Sequence, residues 1–364
     1  MSTTPIIDLP VTADAFAERM LASALATAET MSIYLGDRLG WYQALVTHGP
    51  LTADHLAAQT GSHPRYTREW LEMQGAYGLL TVDLGVDPPT FALDDGVARV
   101  LTDTASLAYL GALPRLFAAS FTHLPQLLDA YRAGGGVGWA ELGDDAREAQ
   151  AALNRPWFEQ RLAAAVAAVP TVQAALSQPG AKVLDVGCGG GYSTIALARA
   201  HPNATLVGVD VDAATVAMAR TAAGDAGVTD RVEFVCGDAA LTGLPGEFDA
   251  AFAFECLHDL PHPVEVLSAV RSALRPGAPI VVMDEAVSDE FTGPADDVDR
   301  LMYAFSVFIC LPDSMCAETS AATGTVMRPA MVRSYATAAG FDTVEVLPID
   351  DFGFFRFYEL RSAA

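Results

Sequence analysis

Lys182-Val-Leu-Asp185-Val-Gly187-Cys-Gly189-Gly-Gly191-Tyr-Ser-Thr194 decides how this chain is read. A short apolar run, Val183 to Val186, enters a glycine-rich turn, and an alanine-rich helical pattern, Ser193 to Ala200, leaves it. The order is strand, tight turn, helix N-terminus. Glycine lacks a Cβ, so the backbone there takes positive φ and lets a ligand approach closely. The first N–H groups of the helix have no partner within it and suit anionic or polar ligand atoms. The turn is therefore expected to cradle a nucleotide-type cofactor. A dinucleotide fingerprint requires G-x-G-x-x-G. Tyr192 stands where its third glycine belongs, so a nicotinamide dehydrogenase is disfavoured.

Further strands follow. Ala204-Thr-Leu-Val-Gly-Val-Asp210 is a second buried run that ends in an acid, placed to accept both hydroxyls of a ribose. Arg231-Val-Glu-Phe-Val-Cys-Gly-Asp238-Ala239 is a third, and Phe248 to Phe254 a fourth. Asp185-x-Gly187-x-Gly189-x-Gly191, with acids closing the next two strands, resembles motif I and its sequel in class I S-adenosylmethionine (SAM) methyltransferases. The resemblance spans about residues 170 to 364. It implies an α/β fold with a Rossmann-like seven-stranded sheet, and SAM as the cofactor. It also implies cofactor contacts at Asp185, Gly187, Gly189, Gly191, Asp210, Val211, Asp238, Ala239 and Phe254.

The N-terminal part reads differently. Apolar residues recur at helical spacing over residues 11 to 47, with Gly36 and Gly40 interrupting them. Two short helices follow, Leu51 to Gly61 and Arg65 to Gly78, and then a possible wing from Leu79–Val82 and Phe91–Leu93. This layout resembles a winged-helix domain. Residues 51 to 105 carry eight acids and three arginines, a net charge of −5, whereas a groove reader needs arginine and lysine on phosphates. The segment is thus expected to pair two copies of the chain. Small-molecule methyltransferases of bacterial secondary metabolism and plant-type O-methyltransferases share this layout, and there the N-terminal helices interlock two subunits. The expected division is residues 1–105 as a winged-helix dimerisation domain, 106–170 as a helical linker region and 171–364 as the SAM-binding domain.

Composition narrows the classes. The formal net charge of −24 argues against sequence-independent binding of nucleic acid. No apolar run of membrane-spanning length occurs, and Met1 to Asp8 shows no secretory pattern. The five cysteines form no C-x-x-C pair, so a reduced, cytoplasmic protein is expected.

Chemistry is expected after the fourth strand, since ligands of parallel α/β sheets sit at the carboxyl ends of the strands. Glu255-Cys-Leu-His258-Asp259-Leu-Pro-His262 lies there. His258-Asp259 resembles the motif of plant-type O-methyltransferases, whose histidine is a general base, with Leu260 where those enzymes usually carry Trp. A residue capping the next helix is the other reading. Pro261 and Pro263 break helix geometry around His262, so no metal site is expected. Ile280 to Glu285 is a fifth strand whose final acids, Asp284 and Glu285, orient a substrate or form a solvated strand end. Met302 to Leu311 is apolar almost all round, as core or as the wall of an apolar pocket. The reading is a homodimeric, SAM-dependent methyltransferase of a small, largely apolar molecule. A SAM-binding enzyme of another reaction and a SAM-binding transcriptional regulator are the competing classes.

Overall fold

The structure, a computed structural model, describes residues 12–244 and 246–362. The leader-free reading of Met1 to Asp8 lies outside them. The chain divides into two compact units between Ala118 and Ala119.

The first unit holds α1 (Ala13–Arg38), α2 (Trp41–His48), α3 (Ala53–Thr60), α4 (Pro64–Ala76), β1 (Thr81–Asp83), β2 (Thr90–Ala92) and α5 (Asp95–Leu101). Thr52 caps α3 by accepting the His55 N–H, and Gly61 ends it in the left-handed conformation. β1 and β2 pair antiparallel as a short hairpin. Gly36 does not interrupt α1, contrary to expectation. A Cβ there would strike the rings of Trp70 at 2.4 Å and Tyr42 at 2.5 Å, so the glycine admits two aromatic side chains against the helix backbone. Gly40, in the left-handed region at φ 68°, is the real break. A buried chain of hydrogen bonds fixes this packing. Tyr42 donates to Gln74, which donates to the Ser32 hydroxyl, and the Trp70 indole donates to the Ser32 carbonyl.

α6 (Leu113–Phe121) runs across the division. The second unit continues with α7 (Leu124–Ala133), α8 (Trp139–Trp157), a π-helical turn (Phe158–Leu162), α9 (Ala163–Ala167) and α10 (Pro170–Leu176). Then come β3 (Lys182–Val186), α11 (Tyr192–Ala200), β4 (Thr205–Asp210), α12 (Ala213–Ala226), β5 (Val232–Cys236), β6 (Ala250–Phe254), α13 (Pro263–Ala273) and β7 (Ile280–Glu285). The chain closes with α14 (Asp297–Phe305), a second π-helical turn (Ser306–Cys310), α15 (Leu311–Ser314), α16 (Pro329–Ala338), β8 (Thr343–Val346) and β9 (Phe355–Arg361).

These strands form a seven-stranded sheet in the order β5-β4-β3-β6-β7-β9-β8. β3 to β7 are parallel, and β9 runs antiparallel to both β7 and β8. The fold is α/β, as the resemblance implied. Central strands are apolar without alternation because helices cover both faces: every residue of β6 and β7 is buried. Edge strands β5 and β8 carry Glu233 and Glu345 outward, which discourages edge-to-edge pairing. Two cores result. Val183, Phe252 and Phe357 pack with Leu162, Leu197 and Val216 on one face, while Leu184, Val282 and Tyr358 pack with Leu267 and Val332 on the other.

Candidate active site

The parallel strands place their carboxyl ends on one edge, and the candidate residues gather there. In the turn after β3, Gly187, Gly189 and Gly191 all have positive φ, at 64°, 51° and 79°. Their surroundings differ. A Cβ on Gly187 would lie 2.6 Å from the Cβ of Cys256, and one on Gly191 would lie 2.7 Å from the Phe234 ring. A Cβ on Gly189 would meet nothing within 4 Å. Two glycines thus let the turn pack, and the third leaves its outer face open to a ligand.

Asp185 supports the turn from beneath. It is 1% exposed, and its Oδ2 accepts the hydroxyls of Ser193 and Thr194, each at 2.6 Å. Its Oδ1 is buried without a partner among the described residues. Burial raises its pKa to about 6, against the two hydroxyl hydrogen bonds and with help from Asp210. Asp210, at the end of β4, is half-buried. Its Oδ2 accepts the Gly189 N–H and its Oδ1 the Asp212 N–H, each at 2.9 Å. One backbone donor per oxygen fixes the carboxylate and leaves lone pairs for a diol. Asp212, beside it, is clamped by Arg147 of α8 at 2.6 Å, a buried ion pair that the sequence reading missed. The Gly237 N–H donates to the Asp210 carbonyl and so ties the β5 end to the β4 end. Asp238 follows, half-buried, accepting the Ala240 N–H at 2.8 Å, and Ala239 is buried next to it. Val211 is 69% exposed. The Phe254 side chain instead belongs to the core, stacked on Phe252 at 5.3 Å, so only its backbone is placed to meet a cofactor.

An open glycine face, a backbone-held acid at the next strand end and an orphaned carboxylate oxygen under the turn fit a polar, nucleoside-bearing cofactor such as SAM.

The ends of β6 and β7 hold the second cluster. His258 is 2% exposed. Its Nδ1 lies 2.7 Å from Asp284 Oδ1 and 3.3 Å from Glu285 Oε2, and its Nε2 lies 3.2 Å from Asp259 Oδ1. Burial lowers the His258 pKa, but Asp259, Asp284 and Glu285 outweigh it and raise it well above the ordinary value. Burial would raise Asp284, yet the imidazolium holds it below its ordinary value. Burial pushes Glu285 well up, and the Asp284 charge adds to that. These directions favour an imidazolium beside an ionised Asp284, with the proton retained on Glu285. Asp284 and Glu285, 1% and 3% exposed, are not a solvated strand end. His258, Asp284 and Glu285 offer ligand atoms within 4.8 Å of one another, the spacing of a cation's ligand set.

Glu255, between the β6 end and His258, was not singled out from the sequence. It takes positive φ, 55°, uncommon for a residue with a side chain. Its Oε2 accepts Gln150 and Asn154 of α8. The nearest signal in the sequence was an acid directly following an apolar strand. Along the Met302 to Leu311 segment, Met302 and Ile309 are buried, while Tyr303, Phe305 and Phe308 are half-buried. The Phe308 ring meets Phe121 edge-on at 5.3 Å, and Ser120 donates to the Phe308 carbonyl.

Comparison with known proteins agrees with this geometry. Residues 183–277 match a family model described as a methyltransferase domain. The ubiquinone biosynthesis O-methyltransferase of Methylococcus capsulatus is 34% identical over 109 residues, 30% of this chain and 45% of that protein. The chain thus spans less than half the length of the curated relatives it matches. The structure of the mitomycin 7-O-methyltransferase superposes with a TM-score of 0.71 at 24% identity, covering 96% of this chain and 99% of that one. Human N-acetylserotonin methyltransferase in complex with SAM gives 0.67 at 19%, covering 96% and 98%. At such identities the likeness speaks for the fold. Residues 183–277 thus carry a methyltransferase domain, and the chain has the fold of these methyltransferase structures.

Proposed function

We propose that the chain transfers a methyl group from S-adenosylmethionine to a small, largely apolar molecule, at the edge formed by the carboxyl ends of β3 to β7. The observation that carries this is the Gly189–Asp210 pairing beneath an open glycine face. When bound, the cofactor supplies a methyl group already activated on a sulfonium. Gly187, Gly189 and Gly191 let the backbone approach it, Asp210 accepts the ribose diol, and Asp238 with Ala239 borders the adenine. Tyr303, Phe305 and Phe308 are assigned to the wall of the acceptor pocket, since apolar pockets with few polar groups suit small molecules.

His258 is the proposed base. In its neutral form it keeps Nδ1–H on Asp284 and presents Nε2 to an acceptor hydroxyl or amine. Asp259, whose side chain is 35% exposed, is the outermost acid of the cluster and the one that must yield its place to the acceptor. Positioned proton transfer contributes about 10²–10⁴ in rate.

The resemblance to a winged-helix module is taken as a pairing device. On α1, Phe16, Met20, Leu21 and Leu25 are each 46–63% exposed, an apolar run suited to a second copy of the chain. No described helix is long and apolar enough to cross a membrane. A cytoplasmic, nucleic-acid-independent role follows the charge and cysteine arguments. Calorimetry with S-adenosylhomocysteine and with NAD tests the core of this reading. It expects binding of the first, which Asp210→Ala weakens. Tight binding of NAD alone would contradict it.

A further inference from the structure

Strand order fixes which end of the cofactor meets which residue. β4 and β5 lie on one side of β3, and β6 lies on the other. A ligand whose ribose is held at Asp210 and whose adenine lies near Asp238 must cross the glycine turn and end at β6. Glu255 stands there, directly after Phe254, and its N–H donates to the Met283 carbonyl at 2.7 Å. Two contacts place it beside the turn. Cys256, its neighbour, packs where a Gly187 Cβ would be, and Ala151 of α8 lies 3.1 Å from where a Gly190 Cβ would be. From that same helix Gln150 and Asn154, one turn apart, both donate to Glu255 Oε2. Among the described residues, Oε1 accepts no hydrogen bond. Asp185, the other acid near the turn, is 1% exposed, whereas Glu255 is half-buried, so Glu255 is the carboxylate offered to the crevice.

We propose that Glu255, steadied by Gln150 and Asn154, reads the methionine end of S-adenosylmethionine by pairing with its α-ammonium group. This rests on the cofactor reading above. The left-handed backbone at Glu255 is the local cost of aiming the side chain, and such strain concentrates at ligand sites. The electrostatics agree. Burial raises the Glu255 pKa to about 7 despite the Asn154 hydrogen bond and His258, with Asp284 and Asp259 adding to the rise. An ammonium group beside such a carboxylate favours its charged form. Among the described residues, no arginine or lysine forms an ion pair with it.

The test compares two ligands that share the adenosine part. S-adenosylhomocysteine carries the ammonium group, whereas 5′-methylthioadenosine lacks the whole amino-acid end. By calorimetry on the full chain, Glu255→Gln should weaken S-adenosylhomocysteine about ten- to a hundredfold, the range for a charged hydrogen bond, and leave 5′-methylthioadenosine unchanged. Asn154→Ala, which leaves the acid in place but unsteadied, should show a smaller loss with the same ligand selectivity. Unchanged S-adenosylhomocysteine binding in Glu255→Gln, or an equal loss for both ligands, would overturn the assignment alone. If the unaltered chain binds neither ligand, the cofactor reading falls and takes the assignment with it.

Discussion

Asp210 and Asp284 each close a buried parallel strand, yet their carboxylates are held by different means. Asp210 receives one backbone N–H on each oxygen. Asp284 is matched chiefly by the His258 side chain, and its Oδ2 is buried without a partner among the described residues. The first arrangement depends on how the chain turns, so it is fixed by backbone. The second depends on the charge of one histidine among several acids, so removing any member changes the others. The proposed cofactor half of the edge is thus built from backbone, and the proposed acceptor half from coupled side chains.

The contrast is broken most severely at His258. His258→Ala should lower kcat by about 10²–10⁴ while S-adenosylhomocysteine binding by calorimetry stays nearly unchanged. An unchanged kcat would mean that alignment alone carries the reaction, and lost cofactor binding would mean that the residue is structural. On the backbone-built side, Gly187→Ala adds a methyl group at positive φ against Cys256. Strain and overpacking together should cost about 2–5 kcal/mol in urea unfolding. An unaltered midpoint would show that the turn is looser than its contacts indicate.

A subtler probe of the coupled half is pH. The neutral form of His258 is the proposed base, and its pKa is raised, so kcat should climb with pH to a plateau well above pH 6.5. Asp284→Asn removes a charge that favours the imidazolium, so the rising limb should move to lower pH. A limb that stays in place would detach Asp284 from the histidine. Smaller still, Phe308→Ala should raise KM for an apolar acceptor several-fold, roughly the worth of a few buried methylenes. If it lowers only the melting temperature, the ring is core packing against Phe121.

The same contrast explains what the sequence could disclose. The glycine turn, Asp210 and the succession of strands follow from local pattern, because apolar runs, glycines and strand-end acids are all read within about ten residues of one another. The seven-stranded sheet was legible through the resemblance that those motifs carry. The long-range pairings were not, because they join distant segments. Asp284 meets His258 from 26 residues away, Asn154 meets Glu255 from 101, and Arg147 meets Asp212 from 65. The positive φ of Glu255 leaves no mark in residue type. The π-helical turns at Phe158–Leu162 and Ser306–Cys310 were also hidden, since a widened turn blurs the helical period of apolar residues.

Asp210 gives the most direct test that this edge is a SAM site. In calorimetry the unaltered chain should bind S-adenosylhomocysteine at one site per chain and show no binding of NAD. Asp210→Ala should weaken that binding about ten- to a hundredfold, as expected for the loss of charged hydrogen bonds to a diol. Tight binding of NAD without binding of S-adenosylhomocysteine, or an affinity indifferent to Asp210→Ala, would contradict it.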